Sequence, residues 1–229
     1  MIIDVVIPVL DEEEALPGVL HAMPNGVRRV VVADNGSRDR SAARAREAGA
    51  EVVYEPRRGY GNACLAALAH LRADPPDVVV FVDGDGSDDV RQLPRLLEPI
   101  EDGRAEFVVG SRVRGELAKG ALTLPQRVGN AVACLGLRAL YGARYSDLGP
   151  FRAIRWSSLE RLEMVDANWG WTVEMQIKAA KKDVAHEEVA VDYGLRQGGE
   201  SKVSGTVRGS VNAGVKILWL LARHGRPWR

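Results

Sequence analysis

Short valine-rich apolar runs alternate with polar, helix-like stretches along the first half of the chain. The runs IIDVVIPVL, RRVVVAD, EVVYEP, DVVVFVDGDG and AEFVVGSR predict five strands. Four helices fall between them. The first is an acidic stretch from about Glu12 to Ala22, which Asp11 can cap. NGSRDRSAARAREAGA ends at Gly49, RRGYGNACLAALAHLRA opens on glycine, and DDVRQLPRLLEPIEDG is interrupted by Pro94. Such alternation predicts an α/β fold, a mainly parallel twisted sheet with helices on both faces.

Beyond Arg112 the periodicity loosens. VRGELAKGALTLPQ reads as a surface loop, and loops of that length are usually functional or mobile. Helices are expected over Arg127 to Tyr141, over WSSLERLEM and over WTVEMQIKAAKK, with a late strand at VAVDY. In the tail, Val207, Val211, Val215 and Leu218 follow helical spacing while Arg208, Lys216 and Arg223 supply charge. That helix either docks on the domain or lies on a membrane surface, where Trp219 and Trp228 suit the interface. No repeat or low-complexity linker marks a boundary, and a turn accounts for Gly149-Pro150, so residues 1–229 are expected to form one domain.

Composition narrows the function. A chain of 229 residues can bury a sizeable core, and its zero formal net charge argues against a general nucleic-acid binder. Cys64 and Cys134 sit in apolar, alanine-rich helical surroundings and read as buried core residues. Nothing suggests a disulfide framework or zinc site, and the four histidines show no ligand spacing. Met1 runs straight into a strand, and no apolar stretch reaches the roughly 18 to 20 residues of a membrane span. The expected setting is the cytoplasm, with the inner face of the membrane as a peripheral location.

Ligands of open α/β sheets bind outside the carboxyl ends of the strands. Here those ends carry acids suited to a metal or a nucleoside, and arginines suited to phosphate. Asp83-Gly84-Asp85 can bring two carboxylates to one Mg²⁺ or Mn²⁺, ions that take oxygen ligands and bridge to substrate phosphates. An EF-hand is excluded, because Asp88 and Pro94 stand where a glycine and a bidentate glutamate are needed. Asp88 or Asp89 is expected to cap the next helix. RRGYGNAC is a poor dinucleotide fingerprint, since Cys64 replaces its third glycine. The helix N-terminus around Gly61 remains a place for phosphate. GLRQGGESKVSG brings Arg196 and Lys202 into one loop that can close over a diphosphate.

Taken in order, these segments resemble the family 2 glycosyltransferases of the GT-A (Rossmann-like) fold, most nearly the dolichyl- or polyprenyl-phosphate mannose synthase type. VVIPVLDEEEAL is similar to the opening P-x-x-N-E-x-x-x-L segment, with Asp11 for asparagine. VVADNGSRDRS is similar to D-D-G-S-x-D-x-T, with Asn35 for the second acid and Ser41 for threonine. FVDGDGSDD matches D-x-D, and VVGSRVRG, SDLGPFRAIRWSSLERL, GWTVEMQIKAA and GESK match later landmarks.

The resemblance implies that residues 1–112 bind a nucleotide-sugar, residues 113–205 serve the acceptor and residues 206–229 form the terminal helix. Pro8, Leu10, Glu12 and Asp34 would line the base and ribose pocket. Asp83 and Asp85 would hold Mg²⁺ or Mn²⁺, and Arg196 and Lys202 would clamp the departing diphosphate. Arg112 and Arg127 would face the acceptor, with Trp171 and Glu174 near the sugar. Ser87 replaces a glutamine that serves the synthases as a further metal ligand.

The expected activity is inverting, metal-dependent transfer of a hexose from a GDP- or UDP-sugar to a polyprenyl or dolichyl phosphate. The alternative is a soluble or other hydroxyl acceptor, for which Asp147 is the candidate general base. A nucleotidyltransferase is less favoured, because no Gly-rich basic loop follows the first strand. A non-catalytic nucleotide-sugar-binding module is the remaining alternative.

Overall fold

A computed structural model describes residues 1–198 and, beyond them, Lys216, Trp219, Leu220 and Arg223. Its strands are β1 (Ile3–Val9), β2 (Val27–Asp34), β3 (Glu51–Tyr54), β4 (Val78–Phe81), β5 (Phe107–Ser111), β6 (Arg152–Arg155) and β7 (His186–Ala190). They form one sheet in the order β3-β2-β1-β4-β6-β5-β7. β1 pairs in parallel with β2 and β4, and β5 with β7. β6 runs antiparallel to both of its neighbours. The carboxyl ends of β1 to β5 therefore share one rim, as the alternating pattern requires.

The helices are α1 (Leu16–His21), α2 (Ser41–Glu47), α3 (Tyr60–Leu71), α4 (Leu93–Glu101), α5 (Leu124–Tyr141), α6 (Trp156–Leu162) and α7 (Trp171–Lys181). One face of the sheet packs under α3, α5, α6 and α7, around Leu68, Leu71, Leu137, Leu159 and Ile177. The other packs under α1, α2 and α4, around Leu16, Val19, Ala45, Leu96 and Ile100. β4 is apolar throughout because it is covered on both faces, and all four of its residues are buried. Cys64 and Cys134 are free thiols in this interior, and burial pushes both upward in pKa.

Several local expectations are corrected. α1 begins only at Leu16, and its N-cap position is Ala15, without a side-chain cap. Asp11 instead takes a positive φ of 55° and its carboxylate accepts from Arg38 N, joining the end of β1 to the turn after β2. Asp89 caps a 3₁₀ turn, Val90–Gln92, that precedes α4, whereas Asp88 is buried and turned back toward Asp83 N. Pro94 falls in the first turn of α4, where a missing N–H costs nothing.

α5 starts before Arg127, because Thr123 and Gln126 form a capping box. β7 begins at His186, earlier than VAVDY suggested. β6 is the strand that periodicity missed. It has four residues, with an arginine at each end, and Arg152 is wholly buried. Arg152 is tolerated there because its guanidinium donates to Leu148 O, Gly149 O and Thr172 O. The expected helix over 206–229 lies almost wholly outside the described residues. Among the described residues no helix is long and apolar enough to cross a membrane.

Candidate active site

A cavity of about 740 Å³ opens at the carboxyl rim of the sheet. Pro8, Leu10 and Glu12 after β1, Asn35 after β2, Arg58 to Tyr60 after β3 and Asp83 to Asp85 after β4 form its first wall. The opposite wall takes Arg112 after β5, Gln126 and Asn130 of α5, Leu148, Pro150, Trp169 and Trp171. Tyr193, Leu195 and Arg196 close one side.

Short polar ties shape the first wall. Asn35 is buried, and its amide donates to Glu55 O at 3.0 Å and Arg57 O at 2.8 Å. Its Oδ1 accepts from Gly59 N at 2.7 Å. That fixes the turn that starts α3, whose first residue, Tyr60, donates from its hydroxyl to Asp83 Oδ1 at 3.1 Å. Gly59 (φ 141°) and Gly61 let this turn meet the backbone of Asp166 and Ala167, where a Cβ on Gly61 would come within 1.8 Å of Asp166 O. Gly61 is thus a packing residue off the cavity wall, which corrects its expected place at a phosphate. Asp34 is also off the wall: its Oδ1 accepts from Ser37 N and holds the turn after β2. Its neighbour Asn35 takes the wall position.

Asp83, Asp85 and Asp88 crowd the end of β4. Burial, and then repulsion from Asp85, push the Asp83 carboxyl up to about 7. Burial and the nearby Asp83 push Asp88 upward as well. Asp85 Oδ1 accepts from Ser87 N at 2.9 Å, and its Oδ2 accepts from Arg196 at 3.0 Å. The second guanidinium nitrogen of Arg196 bonds to Glu12. Among the described residues, no three acidic, histidine or cysteine side chains form a closed metal cage. Two hard oxygen donors with excess negative charge fit a divalent cation that keeps water and phosphate as its other ligands. A cationic side chain already on Asp85 shows that this spot accepts positive charge.

Buried ion pairs hold the opposite wall. Asp147 is fully buried and takes Arg112 through Nε, Nη2 and the backbone N–H, each at 2.8 Å. This corrects the general-base expectation, since the carboxylate is covered by the Arg112 guanidinium and does not line the cavity. Burial works against the Arg112 charge, but Asp147 holds the guanidinium above its ordinary pKa. The ring of Tyr193 lies 5.1 Å from Arg112 Cζ. Beneath them, Glu188 of β7 accepts from Ser146 N and Asp147 N and pairs with Arg114 at 2.9 Å.

Glu174 is also corrected. It is buried off the wall, accepts from Val165 N and Asp166 N, and pairs with Lys178 at 2.9 Å. Arg127 is exposed on α5 and does not line the cavity. Trp171 does line it, packed edge-on to Phe81. Lys202 lies outside the described residues. Asn35, Tyr60, Tyr193 and Glu188 were not foreseen as site-building residues. The substitution at Asn35 within its motif was the one available signal.

Fold and rim together define an α/β transferase that handles phosphorylated ligands at the carboxyl ends of its strands. The glycosyl transferase family 2 model matches residues 4–166, so the chain belongs to that family, with a GT-A-like fold, and is a glycosyltransferase. An uncharacterized glycosyltransferase of Mycobacterium tuberculosis is 41% identical, covering 92% of this chain and 94% of its own length. A dolichyl-phosphate hexose transferase of Haloferax volcanii is 35% identical, covering 85% of this chain and 83% of its own. Among solved structures, glucosyl-3-phosphoglycerate synthase of Mycobacterium tuberculosis, with Mn²⁺, UDP-glucose and phosphoglyceric acid, is 25% identical with a TM-score of 0.78. That match covers 99% of this chain and 81% of the synthase.

The expected likeness to a polyprenyl-phosphate mannose synthase, with a lipid phosphate as acceptor and partner, is corrected by this comparison. The structure that the chain follows along nearly its whole length holds a small soluble acceptor. The best-defined motifs behind that resemblance, at β1, β2 and β4, build the first wall of the cavity, and none of them distinguishes one kind of acceptor from another.

Proposed function

We propose that this protein is a metal-dependent glycosyltransferase that moves glucose from UDP-glucose to a small, soluble, phosphorylated acceptor. One observation carries the reading: Asp83 and Asp85 share a single cavity with Arg112 and Arg196. Pro8, Leu10, Glu12 and Asn35 form the wall for the nucleoside. Asp83 and Asp85 are the residues that would hold Mn²⁺ or Mg²⁺. When bound, such an ion supplies positive charge to the diphosphate leaving group.

Arg196 stands beside those carboxylates, where it can turn to the same leaving group. Arg112, aligned by Asp147 and Tyr193, presents a fixed cation toward the acceptor's anionic group. Trp169, Trp171 and Leu148 supply apolar surface between the two, which limits water around the sugar.

The test is UDP release from UDP-glucose with Mn²⁺, using phosphoglyceric acid, glycerol 3-phosphate and a polyprenyl phosphate as separate acceptors. Release that depends on a small phosphorylated acceptor, and is lost in Asp85→Ala, supports the reading. Transfer to the lipid phosphate alone, or full activity in Asp85→Ala, would sink it.

A further inference from the structure

The loop from Gly194 to Gly198 lies clasped onto the turn that carries Asp85. Gly194 N donates to Ser87 O at 2.8 Å, and Gln197 N donates to Asp85 O at 2.9 Å. The Gln197 side chain rests on Gly86, a glycine with φ of 74° where an added Cβ would meet it at 2.9 Å. Between these contacts, Arg196 reaches inward. Its Nη1 is 3.0 Å from Asp85 Oδ2, its Nη2 bonds to Glu12, and its Nε donates to Gly198 O at 3.0 Å. Asp85 Oδ1 is already engaged by Ser87 N at 2.9 Å. Its other oxygen faces the cavity side taken by Arg196, and the guanidinium holds it.

Two cations cannot share that oxygen cheaply, because like charges a few ångströms apart repel strongly in a partly buried site. We propose that Arg196 is a resident counter-ion that competes with the divalent metal for Asp85 and is transferred to the diphosphate when metal and nucleotide enter together. The exchange leaves Arg196 paired in both states: on Asp85 and Glu12 beforehand, on phosphate afterwards. It also makes metal and nucleotide binding mutually reinforcing, since the diphosphate gives the displaced guanidinium a new partner. This inference rests on the metal-dependent reading above.

The experiment measures Mn²⁺ binding by electron paramagnetic resonance of free Mn²⁺, with and without UDP, for the wild type, Arg196→Met and Arg196→Lys. Without nucleotide, Arg196→Met is expected to bind Mn²⁺ roughly tenfold tighter than wild type, because a charge-assisted bond to the ligand oxygen is gone. Arg196→Lys, which keeps the cation, should stay within about threefold of wild type. UDP should tighten Mn²⁺ binding markedly in the wild type and much less in Arg196→Met. Equal or weaker Mn²⁺ binding by a folded Arg196→Met, while the wild type binds Mn²⁺ with UDP, overturns the competition alone. A wild type that binds no Mn²⁺ even with UDP overturns the competition and the metal-dependent reading together.

Discussion

The two walls of the cavity are built by different means. The first wall is tied by short-range bonds to backbone: Asn35 to the turn before α3 and, behind it, Asp34 to Ser37 N and Asp11 to Arg38 N. The opposite wall stands on buried charge: Arg112 on Asp147, Glu188 on Arg114, Glu174 on Lys178, and Arg152 on three carbonyls. A single short-range bond to backbone loses modest free energy when broken, whereas a buried charge stripped of its ion-pair partner is expensive. The opposite wall should therefore be rigid and intolerant of single changes, and the first wall more forgiving.

The hardest test of this contrast is Asp147→Asn. It leaves Arg112 with a neutral partner in a site where its side chain is only 13% exposed. A loss of roughly 3–5 kcal/mol in chemical denaturation is expected, with a raised KM for the acceptor as Arg112 loses its alignment. Next comes Arg152→Met, which strands the carbonyls of Leu148, Gly149 and Thr172; about 3 kcal/mol should be lost. Burial lowers the Arg152 pKa to about 10, so its charge survives at neutral pH and those bonds are charge-assisted.

On the first wall, Asn35→Asp restores the acid that the family motif carries, yet it turns a carboxylate toward Glu55 O and Arg57 O. About 2 kcal/mol should be lost, together with UDP affinity read by calorimetry, while the acceptor KM stays unchanged. A cost equal to that of Asp147→Asn would erase the contrast between the walls.

The smallest effect concerns Glu55, which its hydrogen bond to Arg57 holds down at about 2. A depressed carboxyl stabilises the fold above its unfolded pKa and loses that contribution as pH falls through its folded value. Wild type and Arg57→Met should therefore differ slightly and constantly above about pH 4.5. The difference should shrink between there and about pH 2 and vanish below. Urea melts at stepped pH would show it, and a gap that widens toward acid would contradict the assignment.

These differences also explain what the sequence could reveal. The β1 to β5 rim was legible because fully covered parallel strands must be apolar runs, and their ends must carry whatever chemistry the rim performs. Asp83, Asp85, Glu12 and Arg196 were placed together by that logic and by the family motifs. The opposite wall was not legible in the same way. Asp147 and Glu174 read as candidate chemical groups, yet they are spent on partners contributed by other elements, and no local pattern announces a partner such as Arg112. β6 escaped because a buried arginine breaks the alternation that marks a strand, and only its three carbonyl acceptors make it possible.

The central position of β6 bears on how the protein comes into being. β1 to β4 are made early in synthesis, but the inner neighbour of β4 arrives only with Arg152–Arg155, far later in the chain. Until then the Val78–Phe81 ribbon, apolar on both sides, presents an unpaired edge of the kind that recruits other chains. A pairing so distant in sequence is slow to form and exposes the nascent chain to misassembly. Fragments ending before residue 152 should therefore leave one edge of β4 unpaired and aggregate more readily than the full chain.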